Sequence, residues 1–334
     1  KLSDETKTYK LSDETKTTPE GVVLHRVVAT KTFTLANGLT INTGDLGGWI
    51  EKESNLTGNA WVSDNAQVYG NAQVSGDALV DGNAKIDGNA MVTDKAWVTG
   101  DAQVNGNAMV TDKALVTGHA QVTGNAWVYH NAQVSNNAKV SDNAKVLGNA
   151  QVSGNVRVYD YARVNDDARI IGDAQVSGNA KVYGDAKVTG KAKVTGKAQV
   201  AGKAQVSGYA FVSGDAIVSG EAFVSGEAQV SDYAFVSGDA IVSGDAHVSD
   251  NAQVYGNAFV SGDAIVSGEA RVYGNAIISE NALVSGTAQV YGDTQIAGDA
   301  KVMNISDFMT FKNNKSNVLS DGLNDLSSQD DIQI

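Results

Sequence analysis

The sequence predicts an all-β protein, a single-stranded parallel β-helix of about fourteen triangular coils. The pattern Ala-x-Val followed by three turn-forming residues recurs every six positions from Ala60 to Val302, forty-one times without an insertion. The alanine position departs from this pattern only at Val156 and Thr294. Large residues that fill an ordinary globular core are scarce. A short fixed period indicates a repeat architecture rather than the two domains that 334 residues would otherwise suggest.

Each hexad contains one short strand and one bend. Ala and Val lie two positions apart and therefore share the buried face of the strand, while the residue between them points outward. The remaining three residues, typically Ser-Gly-Asn or Thr-Gly-Lys, include those that tolerate left-handed backbone conformations at low cost. A bend of about 120° closes a triangle after three hexads, so coils of eighteen residues stack at about 4.8 Å.

Val at one position of each hexad and Ala four positions later resemble the left-handed β-helix hexapeptide-repeat family. The resemblance covers about three quarters of the chain and implies the left-handed sense of coiling, which the period alone does not fix. A right-handed β-helix of the bactofilin type is the alternative, with less regular repeats. Gly44 to Glu51, followed by Ser54-Asn55-Leu56, resembles the leader of uncharacterised hexapeptide-repeat proteins encoded by bacteriophages and prophages.

The segments outside the repeat are interpreted as caps and tails. Residues 1–20 hold a polar octapeptide twice and are predicted to be disordered. Residues 21–44 are predicted to form short strands that cap the first coil, because a solenoid end exposes unpaired backbone groups. The β-helix is assigned to residues 45–302, and residues 303–334 to a C-terminal cap and a flexible tail.

Composition narrows the classes of function. The chain has no cysteine, which excludes disulfides and thiolate metal sites. It has no apolar run of membrane-spanning length, so we expect no membrane partner and a location in the bacterial cytoplasm or on a virion. The net charge of −13 disfavours nucleic acid as a partner. The charge is uneven, because eleven Lys or Arg oppose six Asp from Lys139 to Lys203, whereas Arg271 alone opposes twelve acidic residues from Ala204 to Ala300.

The outward residues of every third hexad are expected to form a ladder on one flat face, and one ladder has two apolar blocks. Exposed apolar patches of this extent usually mark association surfaces. The blocks mirror each other about Arg169 and pair aromatic with aliphatic residues, so we expect an antiparallel homodimer in which Arg169 faces its own copy, with a trimer as the alternative. The ladder is explained equally well if its large side chains only pack against one another and cover the backbone of the sheet. The candidate interface residues are Trp61, Leu79, Trp97, Leu115, Phe223, Ile241, Phe259 and Ile277.

The middle third of the repeat projects basic residues outward. Stacked Arg side chains can chelate phosphate or carboxylate, so these residues form a candidate anion-binding belt. A solvated belt that balances nearby Asp residues is the simpler interpretation. The belt residues are Arg157, Arg163, Arg169, Lys181, Lys187 and Lys193.

The sequence predicts no catalytic, cofactor-binding or metal-ligating residues. Many hexapeptide-repeat proteins are trimeric acyltransferases with a histidine base beside a loop that departs from the coil, and this repeat has no such loop. His25, His119, His130 and His247 have no acid partner at recognisable spacing. We therefore predict a noncatalytic rigid scaffold or protein-interaction module. The alternatives are a relative of the acyltransferases and an acidic decoy that inhibits a host protein.

Overall fold

The computed structural model describes residues 7–309. They belong to two compact units, Lys1–Gly208 (unit 1) and Tyr209–Ile334 (unit 2). Each unit is a three-sided solenoid in which strands eighteen residues apart pair in parallel, as Trp97 does with Leu79 and with Leu115. The predicted fold class is confirmed: the protein is an all-β parallel β-helix of about fourteen coils.

Unit 1 presents three faces, each named after its first hexad strand. The Trp61 face holds Trp61–Val62, Leu79–Val80, Trp97–Val98, Leu115–Val116, Gln133–Val134, Gln151–Gly154, Arg169–Gly172, Lys187–Val188 and Gln205–Val206. The Gln67 face holds Gln67–Val68, Lys85–Ile86, Gln103–Val104, Gln121–Val122, Lys139–Val140, Arg157–Val158, Gln175–Val176 and Lys193–Val194. The Gln73 face holds Gln73–Val74, Met91–Val92, Met109–Val110, Trp127–Val128, Lys145–Val146, Arg163–Val164, Lys181–Val182 and Gln199–Val200.

Unit 2 is built in the same way. Its Phe211 face holds Phe211–Val212, Gln229–Val230, His247–Val248, Ile265–Val266, Leu283–Val284 and Lys301–Val302. Its Ile217 face holds Ile217–Val218, Phe235–Val236, Gln253–Val254, Arg271–Val272 and Gln289–Val290. Its Phe223 face holds Phe223–Val224, Ile241–Val242, Phe259–Val260, Ile277–Ile278 and Gln295–Ile296.

Alanine and valine fill the interior of both units. From Ala60 to Val290 the repeat's Ala and Val positions are at most 1% exposed, as the two-residue spacing requires. The backbone of each outward residue binds the next coil, since the Trp61 N–H donates to the Ala78 carbonyl oxygen at 2.9 Å. Continuous hydrogen-bond ladders and a narrow apolar core therefore stabilise each coil against its neighbours.

The bends use left-handed backbone at one position of every hexad. Glycine occupies most of these positions, but eleven of them carry a side chain, chiefly Asp. Asp64 has φ 54°, and its carboxylate accepts a hydrogen bond from the Gly82 N–H of the next coil at 3.2 Å. Aspartate thus replaces glycine where its side chain can accept the amide hydrogen of the following coil.

Asparagine side chains form hydrogen-bonded ladders along the corners. The longest ladder in unit 1 joins consecutive coils by Nδ2–H to Oδ1 bonds of 2.9 to 3.2 Å. Its members are Asn71, Asn89, Asn107, Asn125 and Asn143. A shorter ladder runs from Asn131 through Asn149 to Asp167, where the carboxylate can only accept.

The N-terminal residues form a β cap on the first coils, together with a short 3-10 turn at Glu53–Asn55. Tyr9–Thr17 pairs antiparallel with Val23–Ala29, which pairs antiparallel with Leu46–Ile50. Leu46–Ile50 in turn pairs in parallel with the first strand of the Gln67 face. A separate hairpin joins Phe33–Thr34 to Thr40–Ile41.

The prediction that residues 1–20 are disordered is wrong for residues 9–17, which form the outer strand of the cap. The octapeptide is polar, but the backbone of this strand pairs with the neighbouring strand at residues 9–11 and 15–17. Tyr9 anchors the strand, because its hydroxyl lies 2.6 Å from both the Glu53 and the Leu56 carbonyl oxygens. Burial raises the pKa of Tyr9 to about 12. Residues 1–6 lie outside the described residues.

The end of unit 2 carries a helical turn that begins at Ile305. Asn304 accepts a hydrogen bond from the Asp307 N–H at 2.9 Å, as an N-cap residue does. Phe308 is fully buried, and its ring lies 5.2 Å from that of Tyr291. These contacts shield the apolar end of the last coil. The predicted flexible tail lies outside the described residues from 310 onward.

Candidate interaction surfaces

The N-terminal cap covers the first part of the predicted apolar interface. Trp61 is only 2% exposed and Leu79 only 3%. The ring of Phe33 meets Trp61 edge-on at 5.9 Å, and a Cβ atom on Gly47 would lie 2.9 Å from the Trp61 ring. The prediction that Trp61 and Leu79 are interface residues is therefore wrong, because both side chains are buried within the chain and the N-terminal cap packs against Trp61.

Trp97 and Leu115 lie in a recess beyond the edge of the cap. Trp97 is 39% exposed, and its Nε1–H donates to the Asp81 carboxylate at 3.0 Å. The recess has a volume of about 310 Å³, and Lys95 and Lys113 are among its other lining residues. Of the four predicted interface residues in unit 1, only Trp97 and Leu115 remain accessible to a partner.

The second predicted block is intact and forms one stripe on the Phe223 face. Phe223 pairs in register with Ile241, Ile241 with Phe259, and Phe259 with Ile277. All four side chains are half-buried, and no hexad strand between them carries a polar outward residue on this face. On the other two faces of unit 2, Gln, His or Arg interrupts the apolar residues. The Phe223 face therefore has the longest continuous apolar stripe of unit 2.

The predicted basic belt is divided among the three faces of unit 1. Register places Arg157 and Lys193 on the Gln67 face with Gln175 between them. Arg169 and Lys187 are neighbours on the Trp61 face. Arg163 and Lys181 are neighbours on the Gln73 face, where Lys145 completes a row of three cations. All six belt residues are exposed, but the structure does not gather them into one site.

The row of three cations forms one wall of a groove on the Gln73 face. We call it the cationic groove; its volume is about 390 Å³, and Tyr129, Leu147, Asn165 and Tyr183 form its other wall. The ammonium of Lys145 lies 4.4 Å from the centre of the Trp127 ring, within cation–π distance. Aromatic rings therefore lie beside the cations. Sequence analysis missed the tyrosine rings because Tyr129 and Tyr183 are corner residues, and only the fold brings them beside the cations.

The histidines form no catalytic constellation in the described part of the chain. His119 Nδ1 lies 3.3 Å from an Asp101 carboxylate oxygen, one coil away, a pairing that sequence analysis missed. Both side chains are largely exposed, so no pocket desolvates or orients the base. His25 Nδ1 contacts the Ser12 carbonyl oxygen, and His247 lies between Gln229 and Ile265 on the Phe211 face. Residues 7–309 hold no cluster of potential metal ligands.

The three-sided coils and their outward ladders define a β-solenoid repeat protein. Five segments match the family model for the YdcK beta solenoid repeat: residues 66–82, 150–166, 234–250, 252–268 and 270–286. No curated protein matches the chain. Among the described helical segments, none is long and apolar enough to cross a membrane.

Two bacterial structures are similar to this chain over part of its length. LpxA from Acinetobacter baumannii is 10% identical, with a TM-score of 0.31, and the match covers 59% of this chain and 69% of LpxA. UDP-N-acetylglucosamine acyltransferase from Campylobacter jejuni is 15% identical, with a TM-score of 0.26, covering 57% of this chain and 70% of that protein. Likeness at this level carries no information about activity.

Proposed function

We propose that the protein is a noncatalytic rigid scaffold that associates with a second copy of itself through the Phe223 face. The observation that carries the proposal is the uninterrupted stripe of Phe223, Ile241, Phe259 and Ile277. Water-exposed stripes of large apolar side chains favour association, since burying them removes apolar surface from water. A solenoid held by continuous backbone ladders presents such a stripe with little loss of conformational entropy.

The order of residues in the stripe suits an antiparallel pairing of two copies. A two-fold axis between Ile241 and Phe259 places Phe223 opposite Ile277 and Ile241 opposite Phe259. Every contact across the axis then joins a flat ring to a branched aliphatic chain, as an isologous interface allows. This pairing replaces the one centred on Arg169, which required Trp61 and Leu79 to be accessible.

The length of the stripe sets the expected affinity. Four strands at about 4.8 Å span about 14 Å, so the apolar contact is smaller than that of a permanent dimer. We therefore expect a concentration-dependent dimer with a dissociation constant on the order of micromolar. A weak contact of this kind suits a scaffold whose copies assemble only where they are concentrated.

Light scattering on size-exclusion fractions tests the proposal. The wild type at about 100 micromolar is expected to approach the mass of a dimer, since that is far above the expected dissociation constant. At an ionic strength of about 500 mM, where contacts between surface charges are screened, the variant Ile241→Gln, Phe259→Gln is expected to be a monomer. The matched control Ile217→Gln, Phe235→Gln removes a similar half-buried pair from the Ile217 face and is expected to remain dimeric. A monomeric wild type, or equal loss in both variants, would contradict the proposal.

The proposed phage or prophage origin rests on the leader resemblance of residues 44–51 and 54–56. The leader contributes the strand Leu46–Ile50, which links the cap to the solenoid, so its residues have a structural role. Gly47 and Gly48 lie against the backbone of the first hexads, where a side chain has no room. A scaffold in the bacterial cytoplasm or on a virion is consistent with this origin. Immunogold labelling of phage particles distinguishes the two locations.

A further inference from the structure

The three cations of the cationic groove have no ionic partner among residues 7–309. Lys145, Arg163 and Lys181 occupy consecutive coils in register. Their positive charges therefore repeat at the strand spacing of about 4.8 Å. The ion pairs of Lys7 with Glu53 and of His119 with Asp101 do not include any of them. The Trp127 ring stabilises the Lys145 ammonium but leaves its charge unneutralised.

Three corner carboxylates near the groove accept hydrogen bonds and form no ion pair with its cations. Asp160 accepts a hydrogen bond from the Gly178 N–H at 2.9 Å, and Asp166 accepts one from the Gly184 N–H at 3.1 Å. Asp167 accepts from the Asn149 amide at 2.9 Å. No carboxylate lines the groove itself. Three like charges stacked at this spacing repel one another, so an anionic partner would relieve a local cost.

Unit 2 carries the complementary feature, a corner row of three carboxylates. Glu227, Asp245 and Asp263 are exposed and precede consecutive strands of the Phe211 face. Those strands pair in register, so the carboxylates also repeat at about 4.8 Å. None of the three forms an ion pair within the described residues. We call this row the acidic corner.

We propose that the cationic groove of one molecule binds the acidic corner of a second copy. Parallel strand pairing sets the spacing of both rows, so three cations meet three carboxylates without stretching either backbone. A nucleic-acid strand is a poorer match, because the net charge of the protein is −13 and opposes the approach of phosphates. The two surfaces differ, so the contact is head-to-tail.

This contact is independent of the proposed dimer, because it uses no residue of the Phe223 face. Exposed ion pairs are individually weak and are screened by salt. Through this contact alone, association is therefore expected only at low ionic strength and high protein concentration, and it is expected to be lost as salt is added. The basic segment 139–203 and the acidic segment 204–300 then supply the two sides of one assembly contact.

Charge reversal in the full-length chain tests the proposal. All proteins carry Ile241→Gln, Phe259→Gln, so that association through the Phe223 face is removed. One variant adds Lys145→Glu, Arg163→Glu, Lys181→Glu to reverse the groove. The other adds Glu227→Lys, Asp245→Lys, Asp263→Lys to reverse the corner. Sedimentation velocity is measured at ionic strengths of about 20 mM and about 500 mM. Attraction between surface charges is weakly screened at the lower value and strongly screened at the higher one.

The background protein is expected to associate at the lower ionic strength and to dissociate at the higher one. Each reversed variant alone is expected to be monomeric, and an equimolar mixture of the two is expected to associate again. The control Lys139→Glu, Arg157→Glu, Lys193→Glu changes the net charge equally on the Gln67 face and is expected to retain association. A monomeric background, a mixture that fails to associate, or loss in the control would each overturn the proposal.

Discussion

Gly106 offers the sharpest test of how the corners are built. Its φ is 71°, and a Cβ atom there would lie 2.9 Å from the Gly124 carbonyl oxygen and 3.0 Å from the Gly124 nitrogen. Gly106→Ala is expected to cost about 2 to 3 kcal/mol, since left-handed backbone costs an L-residue about 1 to 2 kcal/mol and the close contact adds to it. Gly106→Asp meets the same crowding, but its carboxylate can accept the Gly124 N–H, as Asp64 accepts that of Gly82.

That hydrogen bond is expected to recover about 1 kcal/mol in the Asp variant. Native-state hydrogen exchange measures the difference at the Asn107 amide, which donates to the Gly124 carbonyl oxygen at 2.7 Å. The Asn107 amide should exchange about five times faster in Gly106→Ala than in Gly106→Asp, because 1.4 kcal/mol corresponds to about tenfold. An Ala variant that protects this amide as well as the Asp variant would refute the reasoning.

Two further predictions concern the stability of the N-terminal cap and the dependence of the thermal midpoint on pH. Tyr9→Phe leaves the Glu53 and Leu56 carbonyl oxygens without their hydroxyl partner and should lower the opening free energy of the outer strand by about 1 kcal/mol, as measured by exchange of its amides. The Thr111 hydroxyl donates to Asp94 at 2.5 Å and lowers the pKa of that carboxyl. Asp94 therefore stabilises the fold above its unfolded pKa, and the stabilisation is lost as pH falls through its folded pKa. Thr111→Val should make the thermal midpoint less dependent on pH between about 5 and 2, and an unchanged slope would contradict this account.

The six-residue period was enough to predict the solenoid and its register. An uninterrupted Ala and Val pattern leaves one way to bury both residues, so the outward ladders and their order followed from position alone. The stripe from Phe223 to Ile277 has the register that the sequence predicts. Periodicity is informative here because every contact repeats at the same separation along the chain.

Contacts that lie outside the period were not predictable in the same way. The cap covers Trp61 through Phe33 and Gly47, whose positions depend on antiparallel pairing of nonrepeating strands. The outer strand from Tyr9 to Thr17 is polar, so composition gave no sign of its order. The cap removed two of the eight predicted interface residues, whereas no described segment covers the stripe of unit 2.

Contacts between corner residues one coil apart were predictable but were missed. The separation of eighteen residues brings Asp101 to His119 and each corner Asn to the next. The row of Lys145, Arg163 and Lys181 consists of outward residues instead, and its register followed from the repeat. Corner residues repeat with the same period as the outward residues, so their neighbours follow from the sequence in the same way. The use of Asp at left-handed corners depends on its hydrogen bond to the next coil, which composition alone does not reveal.

Site-specific cross-linking of the stripe tests the central claim most directly. The chain contains no cysteine, so Phe223→Cys and Ile277→Cys each introduce a single thiol. Packed sheets lie about 10 Å apart, which suits a short bismaleimide better than a disulfide. Antiparallel association predicts that a mixture of the two variants gives mainly the 223-to-277 cross-linked dimer. Cross-links chiefly between identical positions, or none above the level of a Gln229→Cys control, would contradict it.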